Sequence, residues 1–107
     1  MIEVEFLGTG TSTGVPQLGG ECEVCKSADP RDKRLRCSAI VRTQGVSLLI
    51  DCGPDFRQQM LRASDLHLDA LLITHSHYDH VGGMDDLRPY CREIPFPVYA
   101  QPNVVAD

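Results

Sequence analysis

Residues 74–80 have the sequence Thr-His-Ser-His-Tyr-Asp-His and directly follow an apolar Leu-Leu-Ile run. Three of the four histidines of the chain lie in this segment. Residues two apart in an extended or turning segment project to the same side, so His75 and His77 can bind one ion. Asp79 and His80 lie on the following turn and are available to a second ion, as a two-metal hydrolase requires. The segment therefore predicts a metal site at the end of a buried strand.

Length and charge exclude several classes of protein. The 107 residues are enough for one small domain and too few for two. A net charge of -5 argues against a surface built to hold nucleic acid, which normally needs a basic stripe. No uncharged run approaches membrane-spanning length, and the first residues are acidic where a signal peptide is basic. We therefore expect a soluble, cytoplasmic protein with no membrane partner.

Hydrophobic patterning predicts an α/β chain. Alternating or continuous apolar runs predict strands, whereas apolar residues three and four apart predict helices. Asp55 is expected to be the N-cap of the first helix, and no helix is expected after the last strand. The predicted strands are 2–7, 39–43, 46–50, 69–74 and 96–100, the second and third forming a hairpin that turns at 44–45, and the predicted helices are 56–63 and 84–91.

Residues 8–16 form a loop rich in glycine and hydroxyl side chains. Such a composition is expected where backbone passes close to another group. The loop lacks the Gly-Lys-Ser/Thr ending of a nucleotide P-loop, and its glycines are not spaced as in the dinucleotide fingerprint. Two interpretations stay open, a tight connection and a segment that faces the substrate.

Residues 17–37 form an excursion with mixed charges and three cysteines. Cys22 and Cys25 form a Cys-x-x-Cys pair, and together with Cys37 they could supply three thiolates to a structural zinc. A redox pair and plain thiols are equally open interpretations. No structural disulfide is expected, because five cysteines, an odd number, lie in a chain without an export signal.

Two further side chains lie near strand ends. Asp51 follows the predicted strand 46–50, so its carboxylate either reaches a site at that edge or bonds to nearby backbone N–H groups in a turn. His67 is separated in sequence from the other histidines and is expected at the surface.

Together these features resemble the metallo-β-lactamase superfamily. The resemblance rests on the His-x-His-x-Asp-His pattern after an apolar strand, on Gly-Thr-Gly after strand one, and on Ile-Asp-Cys-Gly at 50–53. The loop 8–16 followed by the cysteine excursion is similar to the cyclic phosphodiesterase branch of the carbon-phosphorus lyase pathway, whose members carry a structural zinc there. The resemblance covers nearly the whole chain. It implies the first half of a four-layer αββα sandwich, with a mixed sheet and one or two helices.

The resemblance also implies roles for the site residues. His75 and His77 would bind the first of two zinc or manganese ions, Asp79 and His80 would serve the second, and Asp79 would orient the bridging hydroxide as the catalytic residue. The family's later ligands, two histidines and an aspartate, are expected further along, because no histidine follows His80. Residues 1–107 are therefore expected to be the N-terminal half of a longer protein.

The excursion departs from the branch pattern. The family has Cys-x-Cys-x-x-Cys there, and in this chain the first of those positions is Gly20. Only Cys22 and Cys25 match, so Cys37 or a residue elsewhere would have to complete a structural zinc site.

The function expected of the intact protein is metal-dependent hydrolysis. The first choice of substrate is a small anionic phosphodiester. The rival hypotheses are a thioester, a lactone or a tRNA 3′ end as substrate. A different class, a non-catalytic metal-binding module, is expected of the isolated 107 residues, because half a site binds metal weakly. Nucleic acid other than tRNA is not expected as a partner, and a homodimer is left open.

Overall fold

The computed structural model describes residues 1–92 and 94–106. Its centre is a five-stranded sheet in the order β1-β2-β3-β4-β5. The strands are β1 Ile2–Gly8, β2 Ser38–Thr43, β3 Val46–Ile50, β4 Ala70–Leu72 and β5 Val98–Tyr99. The α-helices are α1 Glu23–Lys26, α2 Phe56–Arg62, α3 Tyr78–Val81 and α4 Pro102–Val105, and two 3₁₀ helices span Pro30–Asp32 and Met84–Cys91.

The sheet is mixed, as predicted. β1, β2 and β3 pair antiparallel, whereas β3, β4 and β5 pair parallel. Consequently β1, β3, β4 and β5 all run in one direction, and their C-terminal ends share one edge of the sheet. We call this edge the carboxyl edge. In parallel sheets such an edge is where ligands bind.

The hairpin and the first predicted helix are confirmed. Gln44 and Gly45 connect β2 and β3 with φ angles of 51° and 80°, the left-handed pair that a two-residue hairpin turn needs. Phe56 and Met60 on α2 are buried. Asp55 occupies the N-cap position, but the predicted side-chain cap is absent. Its carboxylate instead accepts hydrogen bonds from N and Nη1 of Arg36, both at 2.9 Å.

Other elements differ from prediction. The predicted helix 84–91 is a 3₁₀ helix, and Pro89 within it removes a backbone donor that an α-helix would use. β4 is shorter than predicted because the backbone N–H of Thr74 donates to a side chain instead of continuing the strand. A short helix, α4, follows β5, so the expectation of no further helix was wrong. Across the described residues, no helix is both long and apolar enough to cross a membrane.

The two faces of the sheet are covered unequally. Leu7, Ile40, Leu49 and Leu71 project towards α2 and are at most 6% exposed. On the opposite face, the β1 residues Ile2, Val4 and Phe6 are 69%, 51% and 72% exposed. The alternation of apolar and acidic residues in β1 thus places its apolar side on the face of the sheet that α2 does not cover.

The exposed face is apolar across the sheet. Val41 lies opposite both Val4 and Leu48, and Ile50 lies opposite Leu72. A sheet that is apolar on both faces is stable only as an inner layer, with a second layer on each side. This open face is what the inner side of one half of an αββα sandwich presents.

Arg42 ties the edge of the sheet to the segment after α2. Its Nη1 lies 3.0 Å from Oε1 of Glu3 and 2.7 Å from Oε1 of Glu5, and its Nη2 donates to the carbonyl of Asp65. Glu5 also accepts from the N–H and hydroxyl of Ser64. The Arg42 hydrogen bond is the main reason that the pKa of Glu5 lies below its ordinary value of 4.5.

Replacing Arg42 by Ala should destabilise the fold by about 2 kcal/mol in urea unfolding near neutral pH, because it leaves two carboxylates without their charged donor. Arg31→Ala is the control, since its ion pair with Asp29 is exposed and should contribute almost nothing. A lowered folded-state pKa stabilises above pH 4.5 and loses that effect as the pH falls through the lowered value. The stabilities of wild type and Arg42→Ala should therefore converge in acid, and a constant difference would contradict this assignment.

The five cysteines are free thiols in different surroundings. Cys52 is completely buried, and burial, with the charges of Asp86 and Asp51, raises its pKa to about 12. Cys22 is exposed, and hydrogen bonds from the side chain and backbone of Cys25 lower its pKa.

Limited alkylation with N-ethylmaleimide at neutral pH should therefore modify Cys22 first and Cys52 only after unfolding, because the thiolate is the reacting form. Peptide mass spectrometry over time gives the order directly. Cys52 reacting as fast as Cys22 in the folded protein would show that the core at the carboxyl edge is open.

Candidate metal centre

The structure brings three of the predicted ligands together. His75, Asp79 and His80 each offer a ligand atom, and these atoms all lie within 4.8 Å of one another. Nε2 of His80 is 2.9 Å from Oδ2 of Asp79, and the rings of His75 and His80 have centroids 3.9 Å apart. Within residues 1–92 and 94–106, no other set of three histidine, cysteine, aspartate or glutamate side chains gathers this closely.

His77 lies beside this group without joining it. Its ring centroid is 4.7 Å from that of His75, which agrees with two side chains projecting to the same side of the segment. It is exposed and occupies the N-cap position of α3. Its role as a ligand stays a prediction.

Residues 74–83, which we call the metal segment, are held in place by the turn after β3. The backbone N–H of Cys52 donates to the carbonyl of His80 at 2.8 Å, and the N–H of Gly83 donates to the carbonyl of Cys52 at 3.0 Å. A Cβ atom at Gly53 would overlap the carbonyl oxygen of Asp79, and one at Gly83 would overlap the carbonyl oxygen of Gly53. Glycine is therefore needed at both positions, because the two backbone segments touch there.

Asp51 is the buried partner of this segment. The backbone of Asp51 has a φ angle of 62°, and the residue is 3% exposed. Oδ1 accepts the backbone N–H of Thr74 at 2.7 Å. Oδ2 lies 2.6 Å from Oγ1 of Thr74 and 2.6 Å from Nδ1 of His80. One carboxylate thus joins the ends of β3 and β4 to the metal segment.

These contacts determine which ring nitrogens can bind metal. An ionised carboxylate only accepts hydrogen bonds, so Nδ1 of His80 donates its proton to Asp51. Nε2 of His80 faces Oδ2 of Asp79 at 2.9 Å, and an ion held between these two atoms would take the lone pair of Nε2. The single proton of the Thr74 hydroxyl goes to Asp51. Nδ1 of His75, 3.0 Å from that hydroxyl, is then the donor, which leaves Nε2 of His75 as the free acceptor. Such outer contacts orient ligating imidazoles in metal sites generally.

Of these two supporting residues, the sequence indicated Asp51 but not Thr74. For Asp51 it left two interpretations, and the structure supports the one in which the carboxylate reaches a site at the strand edge. Thr74 was missed as a site residue. Its position directly before His75 is visible in the sequence, but the parallel pairing that brings it to Asp51 is visible only in the structure.

The cysteines are not gathered in the same way. The N–H of Cys25 donates to Sγ of Cys22 at 3.4 Å, so this pair is adjacent. Among the residues that the structure describes, Cys37 does not join them in a group of three close ligand atoms. The structural zinc stays a prediction for these three residues.

The glycine-rich loop and His67 lie outside the cluster. The loop is clamped to the excursion, where Gly10 N–H donates to Leu35 and Val15 N–H donates to Arg34. This supports a connecting role, and a substrate-facing role stays a prediction. His67 is exposed, as expected, with Nε2 3.0 Å from Oδ2 of Asp69.

The donor set fits a divalent ion. Two imidazole nitrogens and a carboxylate oxygen are ligands for zinc and manganese. The half-buried setting and the outer contacts from Asp51 and Thr74 are those of an oriented site and not of scattered surface residues.

Comparison with known proteins places this geometry in a family. The family described as "Beta-lactamase superfamily domain" matches residues 47–107. An octanoyltransferase of Porphyromonas gingivalis is 56% identical over 101 residues, which cover 94% of this chain and 20% of that protein.

Two solved structures are also similar. A diphosphatase from the PhnP family shares 49% identity with a TM-score of 0.79, over 83% of this chain and 35% of that one. Zinc-bound PqqB from Methylobacterium extorquens shares 32% identity with a TM-score of 0.84, over 99% of this chain and 39% of that one. The chain thus spans between a fifth and two fifths of the length of these relatives. Fold, site geometry and family match agree, and the chain belongs to the metallo-β-lactamase superfamily.

Proposed function

We propose that this chain supplies His75, His77, Asp79 and His80 to the metal site of a hydrolase that cleaves phosphodiesters or related phosphoesters. The observation that carries the proposal is the group formed by His75, Asp79 and His80 at the carboxyl edge. Ions bound there would polarise the phosphoryl oxygens and lower the pKa of water.

Residues of this chain would orient the histidine ligands and hold the attacking water molecule. Asp51 and Thr74 keep Nδ1 of both site histidines occupied, so that Nε2 of each ring is the nitrogen left to bind a metal. Asp79 places Oδ2 beside Nε2 of His80. A carboxylate at this position can accept a hydrogen bond from an attacking water molecule and so direct the water oxygen at the substrate.

An anionic phosphoryl substrate is supported by one similarity. A structure with 49% identity to this chain is a diphosphatase from the PhnP family. Metal ions held at the site would offset part of the net charge of -5 and so favour an anionic substrate. The five free cysteines favour a reducing, cytoplasmic location.

The octanoyltransferase name does not favour acyl transfer at this site. The match covers 20% of that protein, so four fifths of it lies outside the region that resembles this chain. Because this chain covers only part of its relatives, the activity, substrate and partners given above are proposals about the intact protein. For residues 1–107 alone we propose weak metal binding without turnover, because two full coordination shells need more ligands than this group offers.

Asp51→Asn and Thr74→Val should each weaken zinc or manganese binding about 10- to 100-fold while leaving all four ligands in place, because the histidine tautomers are no longer set. Competition with a metal-sensitive dye measures the affinity. Asp85→Asn is the matched control, since its exposed carboxylate lies outside the metal group. If both Asp51→Asn and Thr74→Val bind metal as tightly as the wild type, Asp51 and Thr74 do not support the metal site.

The full-length, metal-loaded protein should hydrolyse bis-p-nitrophenyl phosphate and lose that activity on treatment with a chelator. A thioester, a lactone and a tRNA precursor assayed side by side test the rival substrates. Asp79→Asn should reduce turnover of the phosphodiester at least about 100-fold, because water loses its orienting carboxylate. Faster turnover of any rival substrate would overturn the choice of phosphoester.

A further inference from the structure

A cavity lies apart from the metal centre. Its volume is about 660 Å³, and it lies between α2 and the 3₁₀ helix Met84–Cys91. This size falls within the range of about 300–1,000 Å³ that is usual for small-molecule sites. Its apolar lining consists of Phe56, Met60, Leu61, Leu66, Pro89 and Tyr90.

The cavity is preformed. Phe56 and Met60 belong to the core and are 2% and 5% exposed, so they make a firm floor. Tyr90 forms one wall, and its hydroxyl donates to the carbonyl of Leu66 at 2.6 Å. The ring of Tyr90 also packs against Phe96, with centroids 5.9 Å apart. A wall held by two contacts does not need a ligand to shape it.

Part of the apolar lining is exposed to solvent. Leu61 is 65% exposed and Leu66 is 55% exposed. Burying such side chains under an apolar ligand is favourable by roughly 25 cal/mol per Å². The cavity therefore favours a ligand with a hydrocarbon portion.

The rim is cationic in an otherwise acidic chain. Arg57, Arg88 and Arg92 line it, with Asp86 as the one carboxylate among the lining residues. Arg88 bonds to Asp85 through Nε and, at 3.4 Å, through Nη2. The side chains of Arg57 and Arg92 make no hydrogen bond or ion pair to another residue within 1–92 and 94–106. With respect to those residues, both guanidinium groups are available to an anion.

We propose that this cavity binds a medium-chain fatty carboxylate, with its hydrocarbon tail on Phe56 and Met60 and its carboxylate between Arg57 and Arg92. A neutral apolar ligand would leave the guanidinium groups unused, and a small polar anion would leave the apolar walls at Leu61 and Leu66 uncovered. Arginine binds carboxylates through charge-assisted hydrogen bonds, which give both affinity and orientation. The proposal is independent of the metal centre and of the hydrolase activity.

Methyl-¹³C methionine NMR with decanoate as the probe tests it, because Met60 lines the cavity and Met1 does not. Met60→Leu assigns the resonance. Decanoate should shift the Met60 methyl signal saturably below its aggregation concentration and leave Met1 unmoved. The double variant Arg57→Gln/Arg92→Gln should weaken that binding at least about tenfold, because both charge-assisted bonds are lost.

Two controls make the result specific. Arg62→Gln removes a charge from the same helix but outside the cavity lining and should leave decanoate binding unchanged. Decanol, with the same chain length and no charge, should bind more weakly than decanoate and equally to wild type and double variant. The absence of a saturable Met60 shift, or equal decanoate binding by the double variant, would overturn the proposal.

Discussion

The buried carboxylate of Asp51 is the contact on which the metal end of this structure depends. It accepts the backbone N–H and the hydroxyl of Thr74 and a ring N–H of His80, so it joins β3, β4 and the metal segment at one point. At 3% exposure it has little water to compensate for a lost partner. The same carboxylate occupies Nδ1 of His80, and the Thr74 hydroxyl that it holds occupies Nδ1 of His75, so Nε2 is the nitrogen that each ring has left for a metal.

The architecture around this point follows from burial. α2 covers one face of the sheet, while Ile2, Val4 and Phe6 on the other face remain exposed. Because the parallel strands end at one edge, the metal group lies at the rim of both faces and not in the middle of either. A layer placed on the open face would bring its own side chains to that rim, where further ligands could join His75, Asp79 and His80.

Local patterns predicted much of this, and long-range contacts explain what they missed. The hairpin turn at Gln44 and the buried face of α2 depend on neighbouring residues, which sequence shows directly. Whether Asp55 caps its helix or pairs with Arg36 depends on a loop 19 residues away. Likewise, the alternation in β1 predicts two different faces but cannot say which will be covered. For Thr74 the decisive partner is 23 residues earlier in the chain, and its short side chain carries no signal by itself.

The most direct test of this account is the state of the histidine rings, which ¹H–¹⁵N correlation NMR measures before and after zinc is added at neutral to alkaline pH. We predict that with zinc bound His75 and His80 carry their proton on Nδ1 and that zinc moves the Nε2 resonances of both, while His67 is unaffected. Zinc bound through Nδ1 of either ring, or an unprotonated Nδ1 of His80, would contradict the role given to Asp51 and with it the proposed metal site.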